Sequence, residues 1–490
     1  MRQPSGTRPP SRHDVAFLAQ LARRTGEHVS ALLGTQSTSA LERGVALLGS
    51  DDVVLARLPT AGGAAISLAY VATLVSPWEI EEKILAPLKD RPGRLARLPG
   101  TRPVGGARAV ASSLLQGRAV IQDGERLVSL AVSHARSRSI DEPTTERAVF
   151  GAKDAFIELL DANVALVRQH ARDPDLRVEL LHVGTRVPTR VAVLSIAGVA
   201  DPDHHAMVVR RIEAHPVARL PFVSHLVTPL FGPVWSPFLP VSFTERPGRV
   251  LDHLYRGRIA VLADGSPFAL IAPMTWLDDV REEEVHLLSP LTRLFVRTLR
   301  LAAIFLATVL PGLYVAILTG NPNFLPGLLS VTIAASRESV PYPLITETFF
   351  MMLVLDVLAE STVAMKGVLG PSISIVGSLI IGDAAVRANL VSNLSVILVA
   401  GTALGTFVTP HFWSTYGYRM WKYPILLASG ALGVIGWATS VTWLIVHLAS
   451  SRTLGVAYGT AAGSGGGKLA GEVLRAHPVG STLPDPAPRR

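Results

Sequence analysis

The chain has 490 residues, no cysteine, 49% hydrophobic and 17% charged content, and a formal net charge of +8. The lack of cysteine rules out disulfides and thiolate metal sites and suits a reducing compartment. Much of that net charge sits in Pro/Gly/Arg-rich ends, Met1 to His13 and Arg475 to Arg490, with no aromatic-interleaved basic stripe, so it points to anionic lipid and away from nucleic acid.

No apolar core heads the sequence as a secretory signal would, and the amino-terminal part is expected to stay in the cytoplasm. Residues 1–45 read as a disordered basic arm. Asp52 to Arg57 and Ala64 to Val71 are β-branched runs joined by Pro59 and Gly62-Gly63, the pattern of a hairpin. Ser76-Pro-Trp-Glu79 carries a cap, a first-turn proline and an acid at the third position after the serine, and predicts a short helix over Ile80 to Leu88. Arg118 to Gln122 and Arg126 to Val132 flank Asp123-Gly124, expected as a two-residue turn.

Apolar residues at helical spacing, Phe156, Leu159, Leu160, Val164 and Val167, predict an amphipathic helix over 153–171. Val178 to Val183 and Val191 to Ile196 read as paired strands, and Asp201-Pro202 opens a helix to Ile212. The Pro-rich stretch Pro221 to Pro240 reads as a connection. Gly117-Arg118 with Asp123-Gly124 is echoed by Gly257-Arg258 with Asp264-Gly265, each ahead of an apolar strand, which suggests two similar halves; common hairpin spelling would give the same echo. The expected organisation is an α+β region with subdomains at 46–135 and 136–288, an all-α polytopic transmembrane domain at 289–452, and a disordered tail at 453–490.

Arg293, Arg297 and Arg300 lead into Leu301 to Leu318, a positively flanked crossing. Leu328 to Ala335 is too short to span. Pro343 to Ala359, Ile373 to Ala385, Leu390 to Val408 and Tyr423 to Leu448 are the further apolar runs. Trp413, Tyr416, Tyr418, Trp421 and Tyr423 are expected to form an aromatic belt at the headgroups. Four crossings, with Pro343 to Ala359 interfacial or re-entrant, return the tail to the cytoplasm. That scheme places Arg419 and Lys422 outside, against the positive-inside trend, so five or six passes stay open.

Glu347, Asp356 and Glu360 stand in or beside hydrocarbon, where charge is costly unless it meets water or a partner. Asp356 and Glu360 share a helical face that Glu347 does not. Either one set lines a cation-attracting path in an oligomer, or the acids pair with arginines or sit at the interface. Asp383 and Arg387, four apart with the acid first, read as a structural ion pair. Gly401 and Gly405 make a GxxxG step and Gly430, Gly433 and Gly436 recur every third residue, marking faces where helix backbones approach. No catalytic constellation is found. His204-His205 lacks a spaced third ligand, and Ser464 to Lys468 lacks phosphate-loop spacing, so no metal, cofactor or enzymatic activity is expected.

In sequence order, the chain resembles the A subunits of GerA-type spore germination receptors. In the first half the resemblance lies at Ile140 to Glu146, Gly151 to Phe156 with Asn163, Thr244-Glu-Arg-Pro247, and Asp264-Gly265-Ser-Pro267. In the second it lies at Leu310-Pro311-Gly-Leu-Tyr314, at Ser336-Arg337-Glu338 through Pro341-Tyr-Pro343 with Glu347, at Gly370-Pro371 through Gly377 to Gly382-Asp383, and at His447 to Arg452. The resemblance implies a multi-pass subunit in the inner membrane of a dormant spore. Its partners would be copies of itself, a transporter-like B subunit, a lipoprotein C subunit and membrane lipid, and it would form a nutrient-gated ion path. Met352 stands where that family often has a second acid, and Asp356 where a Glu is usual. A secondary transporter or a non-conducting scaffold remain the alternatives.

Overall fold

The computed structural model describes residues 39–59, 65–87, 100–132, 146, 152–215, 217–232, 236–276, 278, 289–320, 324–364, 377, 380–408, 412–454 and 456–459. They fall into two compact units, one within 39–232 and 243–272, the other within 236–242 and 273–459.

The first unit is built twice from the same plan. In its first half, helix α1 (Ala40–Leu48) precedes β1 (Val53–Pro59) and β2 (Ala65–Val71), then α2 (Pro77–Ile80), β3 (Arg102–Pro103), α3 (Ala107–Leu115), β4 (Arg118–Asp123) and β5 (Arg126–Ala131). In its second half, α4 (Leu160–Ala171) precedes β6 (Leu176–Val183) and β7 (Thr189–Ile196), then α5 (Pro202–Glu213), α6 (Val227–Phe231), β8 (Ser242–Thr244), α7 (Pro247–Tyr255), β9 (Ile259–Ala263) and β10 (Ala269–Ala272). The sheets run β1-β2-β4-β5-β3 and β6-β7-β9-β10-β8, the same order position for position. The echo in the sequence is thus a repeat of topology. Gly117 and Gly257, at φ 71° and 80°, end α3 and α7 in the left-handed region that a side chain disfavours, and release the chain into β4 and β9.

Alternation and burial explain the layers. In the first half Leu41, Val45 and Leu48 of α1 and Val110 and Leu114 of α3 pack on Ile66, Leu68 and Ile121. In the second half β9 and β10 are buried along their whole length, which matches their continuous apolar spelling.

Several local expectations are corrected. The β4–β5 register pairs Asp123 with Arg126, so the turn residues are Gly124-Glu125, with Gly124 at φ 59°. Ser76 makes no side-chain cap, and α2 runs directly into a π-helical turn over Glu81–Leu85. The amphipathic helix starts at Leu160, not near 153. The Asn163 amide ties back to the Ile157 N–H and carbonyl at 2.8 and 2.5 Å, holding the preceding segment extended, and Asp264 accepts from the Leu160 N–H at 3.1 Å. Pro221 to Pro240 is not only a connection: a 3-10 turn over Val223–Leu226 and α6 anchor it through buried Val223, Leu226 and Leu230. Asp201 caps α5 by accepting from the Asp203 N–H, as its sequence predicts.

The second unit is helical: α8 (Pro290–Thr308), α9 (Leu310–Gly320), α10 (Gly327–Arg337), α11 (Leu344–Ala364), α12 (Asn393–Phe407) and α13 (Phe412–Ser450). Among the described residues one helix, Thr415–Ser450 within α13, is long and apolar enough to cross a membrane, and α8 with α9 would make a second across a bend of 49°. Four straight crossings are therefore not found among the described residues. Breaks at Val309 and at Gly433, whose φ/ψ of 62° and −141° interrupt α13, divide the apolar runs. At the first break the Val309 carbonyl accepts from the Trp437 indole at 3.2 Å. The expected aromatic belt is in part a core. Tyr418 and Trp421 are buried with Phe238, and Trp421 meets Trp443 edge to face at 5.1 Å. At the edges of the expected disordered segments there is order: α1 begins at Ala40, and β11 (Arg452–Thr453) pairs with β12 (Val456–Ala457). The Tyr458 carbonyl there accepts from the Trp276 N–H at 3.1 Å.

Candidate functional site

Helix α11 carries Glu347, Asp356 and Glu360 in a run made mostly of Leu, Ile, Phe, Met and Val. Each carboxylate has a partner on another helix or loop. Asp356 accepts from the Arg419 Nε at 3.2 Å, the Lys422 Nζ at 2.9 Å and the Tyr423 hydroxyl at 2.6 Å, all from α13, and Arg419 Nη2 donates to the Asp356 carbonyl at 3.1 Å. Glu360, one turn on and exposed, lies 3.9 Å from Arg419 and accepts from the Tyr416 hydroxyl at 3.4 Å. The shared face of Asp356 and Glu360 is therefore turned toward the basic, tyrosine-bearing stretch of α13. Asp356 and Glu360 balance Arg419 and Lys422, leaving a formally neutral cluster.

Glu347 lies on a different side, as its spacing requires. Its side chain is closed to solvent, Oε1 accepts from the Ser392 N–H at 2.5 Å, and Oε2 lies 3.5 Å from Arg337. Ser392 is the N-cap of α12 and accepts from the Ser395 N–H, so the Glu347 carboxylate sits at a helix N-terminus, where exposed N–H groups and the helix dipole favour a negative charge. Sequence periodicity separated the two acidic faces. It could not name Ser392, Arg419, Lys422 and Tyr423 as partners, because these lie 45 to 67 residues away.

The other sequence-singled residues divide plainly. Asp383 and Arg387 pair at 2.8 Å across one turn, but both are largely exposed. Pro341 and Pro343 are exposed before α11. Gly370 and Pro371 lie outside the described residues. A Cβ on Gly377 would stand 3.5 Å from Leu358 and one on Gly382 3.8 Å from Val396, both ordinary contact distances. The GxxxG step packs on α8 of the same chain, but unevenly: a Cβ on Gly405 would stand 2.6 Å from the Ala303 carbonyl oxygen, whereas one on Gly401 would stand 3.8 Å from Leu306. Gly430 faces Ile345 of α11 and Gly433 is the kink. Met352 is buried in the core with Val315, Val399 and Leu426, surroundings in which a second carboxylate would need a partner.

In the first unit, the residues of the family-like motifs are scaffold. Glu146 accepts from Thr244 and Arg249 at 2.5 and 2.7 Å, Asn163 bridges Ile157, and Asp264 caps α4. Among the described residues no group of acids and histidines is arranged to hold a metal ion.

A duplicated α+β unit followed in sequence by an apolar helical unit with partnered acids defines the class. The sequence model of the Bacillus/Clostridium GerA spore germination protein family matches residues 41–473. The chain belongs to that family. It is 31% identical to spore germination protein KA of Bacillus subtilis strain 168 over 84% of its length and 78% of that protein, and 30% identical to spore germination protein A1 of the same organism over 84% and 87%. An uncharacterized membrane protein of that organism, YfkQ, is 32% identical over 71% and 68%. The solved N-terminal domain of the A subunit of the Bacillus megaterium spore germinant receptor GerK3 aligns with 48% of this chain and 92% of its own, at 23% identity and a TM-score of 0.35.

Proposed function

We propose that this chain is an integral membrane A-type subunit of a spore nutrient germinant receptor, with residues 289–452 in the inner spore membrane and the α+β region in the cytoplasm. Copies assemble around a cation path and work with a transporter-like B subunit and a lipoprotein C subunit. Nutrient binding shifts the assembly from closed to open, and ion release starts germination.

The observation that carries this reading is the partnering of every acid on α11 within an apolar helical unit. A carboxylate in hydrocarbon is tolerated when paired or facing water, so a helix able to exchange protein partners for water suits a closed path that can open. In this reading Arg419 and Lys422 both sit on Asp356, and a paired cation is the kind tolerated beside hydrocarbon. Outward-facing Leu432, Ile435, Trp443 and Ile445 on α13 give the helix an apolar surface suited to lipid.

A transporter is the second reading, favoured by the broken helices at Val309 and Gly433, because discontinuous helices build midplane solute sites. The receptor reconstituted in liposomes separates the two. Nutrient-dependent conductance without saturable solute uptake is expected; uptake by this chain alone would favour the transporter, and neither activity would leave a scaffold. Glu360→Lys puts a cation in place of the carboxylate that lies 3.9 Å from Arg419 and is expected to alter ion passage or assembly.

A further inference from the structure

We propose that Asp356, Arg419, Lys422 and Tyr423 form an ionic latch between α11 and α13 that holds the subunit at rest, and that its release frees the carboxy-terminal end of α11. The latch is a regulation of the proposed ion path and rests on that reading. One carboxylate gathers three side chains from little more than one turn of a single helix, and Arg419 also grips the Asp356 carbonyl, so the contact fixes the backbone as well as the side chain.

The other end of α11 is held differently. Glu347 is seated on the N-terminal N–H of α12, with no solvent access. Nine residues, about 13–14 Å of helix, separate this anchor from the latch. An anchor at one end and a latch at the other make α11 a lever with Glu347 as its pivot.

The latch has two stable settings for an electrostatic reason. Asp356 and Glu360 offset Arg419 and Lys422 while the helices touch. Once the helices part, Asp356, Arg419 and Lys422 join the already exposed Glu360 as uncovered charges in an apolar unit unless water reaches them. Parting and hydration are therefore one event, and hydration beside two carboxylates is what a cation path needs.

The test is made on the complete receptor in liposomes, with two readouts. The native chain has no cysteine, so Met352→Cys, at a buried position one turn before Asp356, provides a single thiol in this subunit. Asp356→Asn, Lys422→Met and Tyr423→Phe are each combined with it. The expected result is a rise of about tenfold in labelling of that thiol by a water-soluble reagent for Asp356→Asn and Lys422→Met, and less for Tyr423→Phe. Nutrient-independent cation flux rises in the same order. Labelling that stays at the unsubstituted level overturns the latch, whatever the flux does. Labelling that rises while neither parent nor variants pass ions keeps the latch and overturns the ion-path reading.

Discussion

Arg168 on α4 and Asp52 ahead of β1 meet in a two-pronged ion pair, Nε to Oδ2 at 2.6 Å and Nη2 to Oδ1 at 2.5 Å, with side chains 0% and 1% exposed. They join the two halves of the first unit. Ser50 and Thr73 complete the network at 2.8 and 3.0 Å on Asp52, and Ser50 also bonds the backbone of Val178 on β6. Every strong acceptor on the Asp52 carboxylate is thereby used, the condition under which a buried pair is stable.

Removing one partner should leave the other charge buried and alone. Arg168→Met is expected to lower stability by about 3–5 kcal/mol, and the double variant Asp52→Leu with Arg168→Met to recover part of the loss. Thermal unfolding of the detergent-purified protein checks the order. Hydrogen exchange should quicken at the Asp51 N–H, which bonds the Val178 carbonyl at 2.9 Å.

The neighbouring acid gives a pH dependence of known sign. Burial pushes the Asp51 carboxyl above the usual carboxylate range, with Glu179 and Asp52 adding to the rise and the Leu180 N–H opposing it. A raised folded pKa means the folded state binds the proton more tightly, so stability falls as pH climbs through that value. Asp51→Asn can keep the 3.0 Å bond from the Leu180 N–H without the charge. Its unfolding temperature is expected to exceed the parent's at pH 7, with the gain fading as pH falls toward the carboxylate range.

The GxxxG step predicts an asymmetry. Gly405→Ala would drive a methyl group into the Ala303 carbonyl and is expected to destabilise by about 1–3 kcal/mol, while Gly401→Ala has room and should be near neutral. Equal losses at both positions, in thermal unfolding of the detergent-solubilised protein, would count against the α8–α12 packing seen here.

Asp383 and Arg387 offer the opposite case, with side chains 59% and 80% exposed. Solvent screens such a pair, and neutralising either residue should change stability by less than about 0.5–1 kcal/mol. A larger loss would mean that the pair is buried in the assembled receptor.

Much of this could be read along the chain because it depends on near neighbours. The hairpins, the Asp201 cap and the two faces of α11 follow from residues within a turn or two, whereas the break at Gly433 inside an unbroken apolar run did not. The helix start at Leu160 did not follow, because the Asn163 amide and the distant Asp264 carboxylate override the apolar period before it.

What the sequence alone determined is the order of the parts: an α+β region with a repeated motif, then apolar runs marked by a few acids and glycines, because composition and periodicity are local quantities. The tertiary structure decided which partner each acid has. A carboxylate in an apolar run must find a cation, a hydroxyl or an N–H, and chain spacing cannot show which of these folding brings near. For Asp356 it is Arg419, Lys422 and Tyr423, and for Glu347 it is the start of α12.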